Sequence, residues 1–168
     1  MENESPAIFT VGHSTHSIEA FLRLLQSRGI ETLVDVRAFP GSRRHPHFNK
    51  DALAGACRDA NISYYHMVSL GGRRKSQNVT PPDAKWRSPV FAAYAEYATT
   101  PLFRTALSEL EAIGRKSRTA IMCAEALWWH CHRQIIAEEL AKDGFTMNHI
   151  LPVHHVKEAE RSPELPGF

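Results

Sequence analysis

At 168 residues and 43% hydrophobic content, the chain holds enough apolar material for one well-buried core and too little for two, so residues 1–168 are expected to form one domain. The acidic, polar opening and the lack of any apolar run of signal-peptide or membrane-spanning length exclude a membrane role and point to the cytoplasm, where three cysteines stay as thiols. Net charge is only +2, yet residues 37–87 carry ten basic against three acidic side chains, an imbalance that suits an anionic ligand.

In chain order, residues 7–11 form a short apolar run ending in Gly12-His13-Ser14, the pattern of a buried first strand. Ser17 stands at an N-cap position before Ile18, Phe21, Leu22 and Leu25 at helical spacing, and Gly29 ends that helix. Residues 33–36 read as a second strand, followed by a loop rich in arginine, proline and histidine. Asn49 is placed to cap a second helix whose buried face holds Leu53, Ala56, Cys57 and Ala60, which makes Cys57 a core residue. Residues 62–68 have the branched and aromatic content of a third strand, ending in Leu70-Gly71-Gly72.

Residues 73–87 are basic and broken by two prolines, the composition of a loop or lid. Ser88-Pro89 opens an aromatic helix, and Thr100-Pro101 repeats the start signal, so that helix kinks or restarts and runs to about Gly114. A fourth strand at 119–123 leads through a connection, with a helix start expected near 129–132, into a helix containing Ile135, Ile136 and Leu140; Gly144 closes it. A fifth strand follows at 147–151, and the tail from about 152 is irregular.

Strands alternating with helices predict an α/β fold, a single open, mostly parallel five-stranded sheet with helices on both faces, in the Rossmann-like or flavodoxin-like manner. Ligands in such sheets bind outside the carboxyl ends of the strands. Those ends carry His13 and Ser14, Arg37, Gly71 and Gly72, and Cys123 and Glu125. Cys131, His132 and Arg133 follow at the start of the last helix, where free backbone N–H groups favour an anion and lower the pKa of a nearby thiol.

Two chemistries fit this set. Anion binding would use Ser14, Arg37, Ser42, Arg43, Gly71, Gly72 and Arg133, the guanidiniums as bidentate donors and the glycines for close backbone approach. Nucleophilic catalysis would use Cys123 or Cys131, with His13, His132 or Glu125 as base. Neither cysteine has an arginine six residues on, which excludes a phosphatase-type phosphate loop. The Cys-x7-Cys-His spacing matches no common zinc pattern, so no metal is expected. A redox pair between Cys123 and Cys131 requires their Cα atoms within about 7 Å, which sequence leaves open.

Aromatic residues beside cations, among them Phe39, Phe48, Trp86, Trp128 and Trp129, also suit a nucleic-acid-binding module, although a pI near 8.5 favours a small phosphorylated or nucleotide ligand over a dedicated nucleic-acid binder. Nothing in the pattern names a cofactor or fixes an oligomeric state.

The blocks Val11-Gly12-His13-Ser14, Leu33-Val34-Asp35-Val36-Arg37 with Phe39-Pro40 and Ser42-Arg43, Leu70-Gly71-Gly72, Met122-Cys123-Ala124-Glu125, Cys131-His132-Arg133 and His149-Ile150 resemble, in order, the family called domain of unknown function 488. The resemblance implies no established reaction. It does imply a link of some relatives to DNA repair, and hence a nucleotide or nucleic-acid ligand. Position by position it singles out His13, Ser14, Asp35, Arg37, Pro40, Ser42, Arg43, Gly71, Gly72, Cys123, Glu125, Cys131, His132 and Arg133.

Overall fold

A computed structural model describes residues 4–72 and 88–151. The expected basic lid at 73–87 and the irregular tail from 152 lie outside the described residues. Five strands and five α-helices follow in the order β1 (Ala7–Gly12), α1 (Ile18–Ser27), β2 (Thr32–Asp35), α2 (Lys50–Asp59), β3 (Ser63–His66), α3 (Pro89–Tyr97), α4 (Pro101–Lys116), β4 (Thr119–Cys123), α5 (Arg133–Lys142) and β5 (Thr146–His149).

Local chemistry sets most of these limits. The Ser17 hydroxyl accepts the Ala20 N–H at 3.1 Å and caps α1. Thr100 does the same for Phe103 at 3.3 Å, with Pro101 in the first turn of α4, so the second start signal is a true restart. Gly29 and Gly144 take left-handed backbone (φ +66° and +93°) just beyond α1 and α5, where a Cβ would be strained. Asn49 departs from expectation: it precedes α2, but its side-chain oxygen accepts the Ser42 N–H at 2.6 Å and closes the arginine loop instead of capping the helix.

The sheet is parallel throughout, in the order β3-β2-β4-β1-β5. The inner strands β1, β2 and β4 are almost wholly buried, whereas the edge strands β3 and β5 alternate between exposed and half-buried positions. Their sequences differ accordingly: continuous apolar runs inside, mixed ones at the edges. Phe21 and Leu25 of α1 and Leu53 and Cys57 of α2 pack with Phe9, Leu33, Ala120 and Met122 on one face. Tyr94 of α3, Leu107 and Leu110 of α4 and Ile136 and Leu140 of α5 pack with Ile8, Val34, Ile121 and Cys123 on the other. Each fully buried Leu or Phe contributes roughly 1.5–3 kcal/mol to holding these layers together.

One feature of the order positions the site. β4 lies between β1 and β2, with Gly12 beside Cys123 and Asp35 beside Met122. Backbone pairing continues past the strands, from His13 N–H to Cys123 O, Ser14 N–H to Ala124 O and Val36 N–H to Met122 O. The segment after Cys123 is therefore flanked by the chain ends of β1 and β2.

Candidate thiol site at the carboxyl rim

Asp35 and Arg37 are two residues apart in extended chain, so their side chains fall on one side. Arg37 donates from Nε to Asp35 Oδ1 at 2.8 Å and from Nη2 to Oδ2 at 2.7 Å, a bidentate pair. Its backbone N–H also reaches Oδ1, and Nη2 donates to Phe48 O at 2.8 Å. Tyr64 gives its hydroxyl to Oδ2 at 2.5 Å, and burial together with this bond to Asp35 pushes the phenol pKa upward, so it stays a donor.

His13 lies alongside this pair. A carbonyl can only accept, so the contact at 3.0 Å to Ser14 O places the proton on Nδ1 and leaves Nε2 to accept from Arg37 Nη1 at 3.4 Å. Its ring stacks on Phe48 at 4.3 Å. Burial, reinforced by the Arg37 charge and by His45 and opposed by the Ser14 bond, lowers the His13 pKa to about 4. His13 is thus a neutral residue with both ring nitrogens engaged.

The second group begins where β4 delivers Cys123. The Trp128–His130 stretch coils into a single 3₁₀ turn, which delays α5 to Arg133. The Cys131 sulfur, not an external anion, receives the helix's opening N–H, that of Arg133, at 3.4 Å. Arg133 Nε donates to the same sulfur at 3.1 Å, and the Cys123 sulfur lies 3.3 Å from it. Arg133 is wholly buried; Nη2 donates to Glu125 O, while Nη1 has no partner among the described residues. The carbonyl of Glu125, not its exposed carboxylate, is what the arginine uses. A Cβ on Gly12 would collide with that same carbonyl, so the absence of a side chain there lets the connection pack on β1.

These contacts split the two thiols. Burial opposes ionisation of Cys131, but hydrogen bonding from Cys123 and the charges of Arg133 and His132 outweigh it and hold the pKa well below the ordinary thiol value. Burial and the bond to Cys131 drive Cys123 the other way. The environment therefore favours ionisation of Cys131 over Cys123, with Cys123 placed to donate to its neighbour.

A cavity of about 300 Å³ opens over this pair, and Arg37, Gly72, Cys123, Glu125, Cys131 and His132 all line it. His132 donates from Nε2 to Val36 O at 2.7 Å, which turns Nδ1 towards Gly72; a side chain on that glycine would collide with the imidazole. His13, Ser14, Ser42, Arg43, Gly71 and Arg133 do not line the cavity. Ser42 holds the arginine loop by accepting the Arg44 and His45 N–H groups, each at 3.2 Å, and Arg43 points to solvent. Gly71 is a packing glycine, since a Cβ would lie 2.7 Å from the Cα of Ala38. Sequence reasoning singled out Phe39 as a stacking aromatic but missed Phe91 and Tyr94, which complete the wall with it; the aromatic content of the helix after Ser88-Pro89 was the available signal, but it reads equally as core.

The parallel sheet and this rim define an α/β protein with a paired-thiol pocket at the carboxyl ends of its central strands. The chain belongs to the family described as Domain of unknown function DUF488, whose model matches residues 17–140. Of the blocks that carried the resemblance, those at 11–14 and 149–150 flank the matched region. Comparison with curated proteins and with solved structures gives no match.

Proposed function

We propose that the protein is a thiol-dependent hydrolase or transferase of the cytoplasm that acts on a small anionic, nucleotide-like ligand, with Cys131 as nucleophile. The observation that carries this reading is the grip on the Cys131 sulfur, by Arg133 Nε at 3.1 Å and by Cys123 at 3.3 Å, on the wall of a cavity. A thiolate is the reactive form of cysteine, and here the charge is sustained by built-in partners. His132 lines the pocket next to Cys131 and is the imidazole proposed to take part in proton transfer. Phe39, Phe91 and Tyr94 offer flat surfaces for a base, and His130 offers a donor for its charged part.

Both rim guanidiniums are already engaged, Arg37 by Asp35 and Arg133 by Cys131. The anion is therefore expected to bind weakly on its own and to depend on the aromatic wall. Three free cysteines suit a reducing compartment, and among the described residues no helix is long and apolar enough to cross a membrane.

Alkylation with iodoacetamide across pH, read peptide by peptide, tests the nucleophile. Cys131 should keep its full rate well below the normal thiol pKa of about 8.5. Cys57, fully buried and with its pKa pushed up to about 12 by burial and by Asp35, should stay inert. A Cys131 rate that falls away at and below pH 8.5 would remove the nucleophile.

Phe39 is 73% exposed on the loop that also exposes Arg43 and Arg44, which favours a second reading as a nucleic-acid-binding module. Short single strands should then bind with an affinity that drops steeply with salt; no binding at low salt excludes it.

A further inference from the structure

We infer that Cys123 and Cys131 form a two-electron dithiol–disulfide couple that exchanges with small-molecule disulfides, Cys131 as the attacking thiol and Cys123 as the resolving one. The inference rests on the Cys131 nucleophile proposed above and adds to it a partner thiol, a class of co-reactant and a second chemical state for the pocket.

The geometry is that of a pair. The two sulfurs are 3.3 Å apart, closer than the roughly 3.5–4.0 Å of ordinary carbon packing, and a disulfide at about 2.05 Å requires an approach of only about 1.3 Å more. Both backbones are fixed: Cys123 O accepts the His13 N–H at 3.0 Å and Cys131 O accepts the Gln134 N–H at 3.1 Å. The connection between them is held by Arg133 on Glu125 O. Both cysteines line the cavity, Cys131 at 8% exposure and Cys123 at 2%, so Cys131 is the more accessible of the two to an incoming disulfide. Cys57 packs in the opposite core layer and takes no part.

The exchange balances with a disulfide RSSR as oxidant. The Cys131 thiolate attacks one sulfur of RSSR, the S–S bond breaks, RS⁻ leaves and a Cys131–S–S–R bond forms. Cys123 gives its proton to the departing thiolate and attacks the Cys131 sulfur, expelling the second RS⁻. Two electrons pass from the dithiol to RSSR, and the products are the Cys123–Cys131 disulfide, one RSH and one RS⁻.

Arg133 sets the direction in which the couple leans. In the reduced state its buried guanidinium lies against a thiolate; in the oxidised state that counter-charge is gone while the guanidinium stays buried. Interactions that stabilise the reduced form make a disulfide oxidising and easily reduced. The disulfide is therefore a transient, exchangeable state and not a structural staple, and forming it silences the Cys131 nucleophile until a thiol reduces it.

The full-length protein, equilibrated in mixtures of reduced and oxidised glutathione, acid-quenched, alkylated and mapped by mass spectrometry, tests this. Cys123 and Cys131 should become protected together and linked to each other, with Cys57 still free and little glutathione adduct. C123S should retain glutathione on Cys131 at least tenfold more than the wild type, and R133Q should shift the equilibrium at least tenfold towards the disulfide. Wild-type protein that accumulates glutathione on Cys131 while Cys123 stays alkylatable, or in which neither thiol changes, overturns the couple; this measurement requires no variant to fold. Fast alkylation of Cys131 without linkage would discard the couple and keep the nucleophile, whereas linkage with slow alkylation would discard the nucleophile and keep the couple.

Discussion

Arg37 and Arg133 are gripped in the same way by different acids. Each lies two residues after its partner, Asp35 or Cys131, and each partner accepts both the backbone N–H and the Nε–H of its arginine. In each case Nη2 completes the grip on a carbonyl, that of Phe48 or of Glu125. The difference lies in the acid. A carboxylate ionises without help and is fully occupied here by Arg37 and Tyr64, so the Asp35 cluster is a closed support. A thiol ionises near neutral pH only when its surroundings favour the charge, and the sulfur so held lines a cavity. One device, an acid and an arginine two residues apart, braces the end of β2 in the first case and favours ionisation of a thiol in the second.

The sharpest way to break the comparison is to remove the supporting acid. Asp35→Ala leaves the Arg37 guanidinium buried without its counter-charge, and breaking such a pair costs about 3–5 kcal/mol. Urea unfolding should show that loss. A cost under about 1 kcal/mol, the scale of an exposed pair, would mean that the cluster braces nothing.

Next in size is an acid effect centred on His13. Its folded pKa, near 4, lies below the unfolded value of 6.5, so the unfolded chain binds the proton first as pH falls. The stability linked to His13 is complete above pH 6.5 and drains away down to about pH 4. A shift of this size is worth about 3 kcal/mol. His149, lowered to about 3 by burial and by the Arg133 charge, acts with the same sign. Denaturation midpoints measured between pH 7 and 4 should fall steadily, and His13→Gln should flatten the slope without abolishing it. A flat wild-type profile would place the charged form of His13 comfortably within the fold.

Much of this was legible in the sequence, because the fold is written in local signals. Apolar runs of four to six residues gave the inner strands to within a residue or so, and Ser17, Thr100-Pro101 and Gly29 marked helix limits through side-chain and backbone chemistry. Convergence at the rim followed from parallel strands, since every strand end points the same way. Strand order did not follow: that β4 inserts between β1 and β2 depends on non-local pairing. Of the residues named for the candidate site, Arg37, Gly72, Cys123, Glu125, Cys131 and His132 come together at one cavity and the others do not, and the pairings among them were not legible. Asp-x-Arg and Cys-x-Arg are both visible in the chain, but only the extended backbone at Cys131 (φ −141°, ψ 173°) shows that the sulfur turns back onto its arginine. Two of the three arginines expected to clamp a ligand, Arg37 and Arg133, are spent inside the protein while Arg43 points to solvent, and the helix start expected near 129–132 falls at Arg133 because the tryptophans occupy a 3₁₀ turn, with Trp128 stacked on His149 at 3.7 Å.

The smallest effect tests whether the thiol cluster is independent of the pocket wall. Gly72→Ala would drive a Cβ into the His132 imidazole, which must swing away and give up its bond to Val36 O. One buried hydrogen bond of this kind is worth about 1 kcal/mol, so a modest loss in urea unfolding is expected. The contacts of Cys131 with Arg133 and Cys123 do not pass through His132, although the His132 charge is among the factors that lower the Cys131 pKa. Alkylation of Cys131 at neutral pH should therefore slow by less than about tenfold, the equivalent of one pKa unit. A collapse of the rate with stability nearly unchanged would shift the origin of the lowered pKa from the arginine to the imidazole, and the parallel between the two acid–arginine pairs would no longer explain why Cys131 is the more acidic thiol.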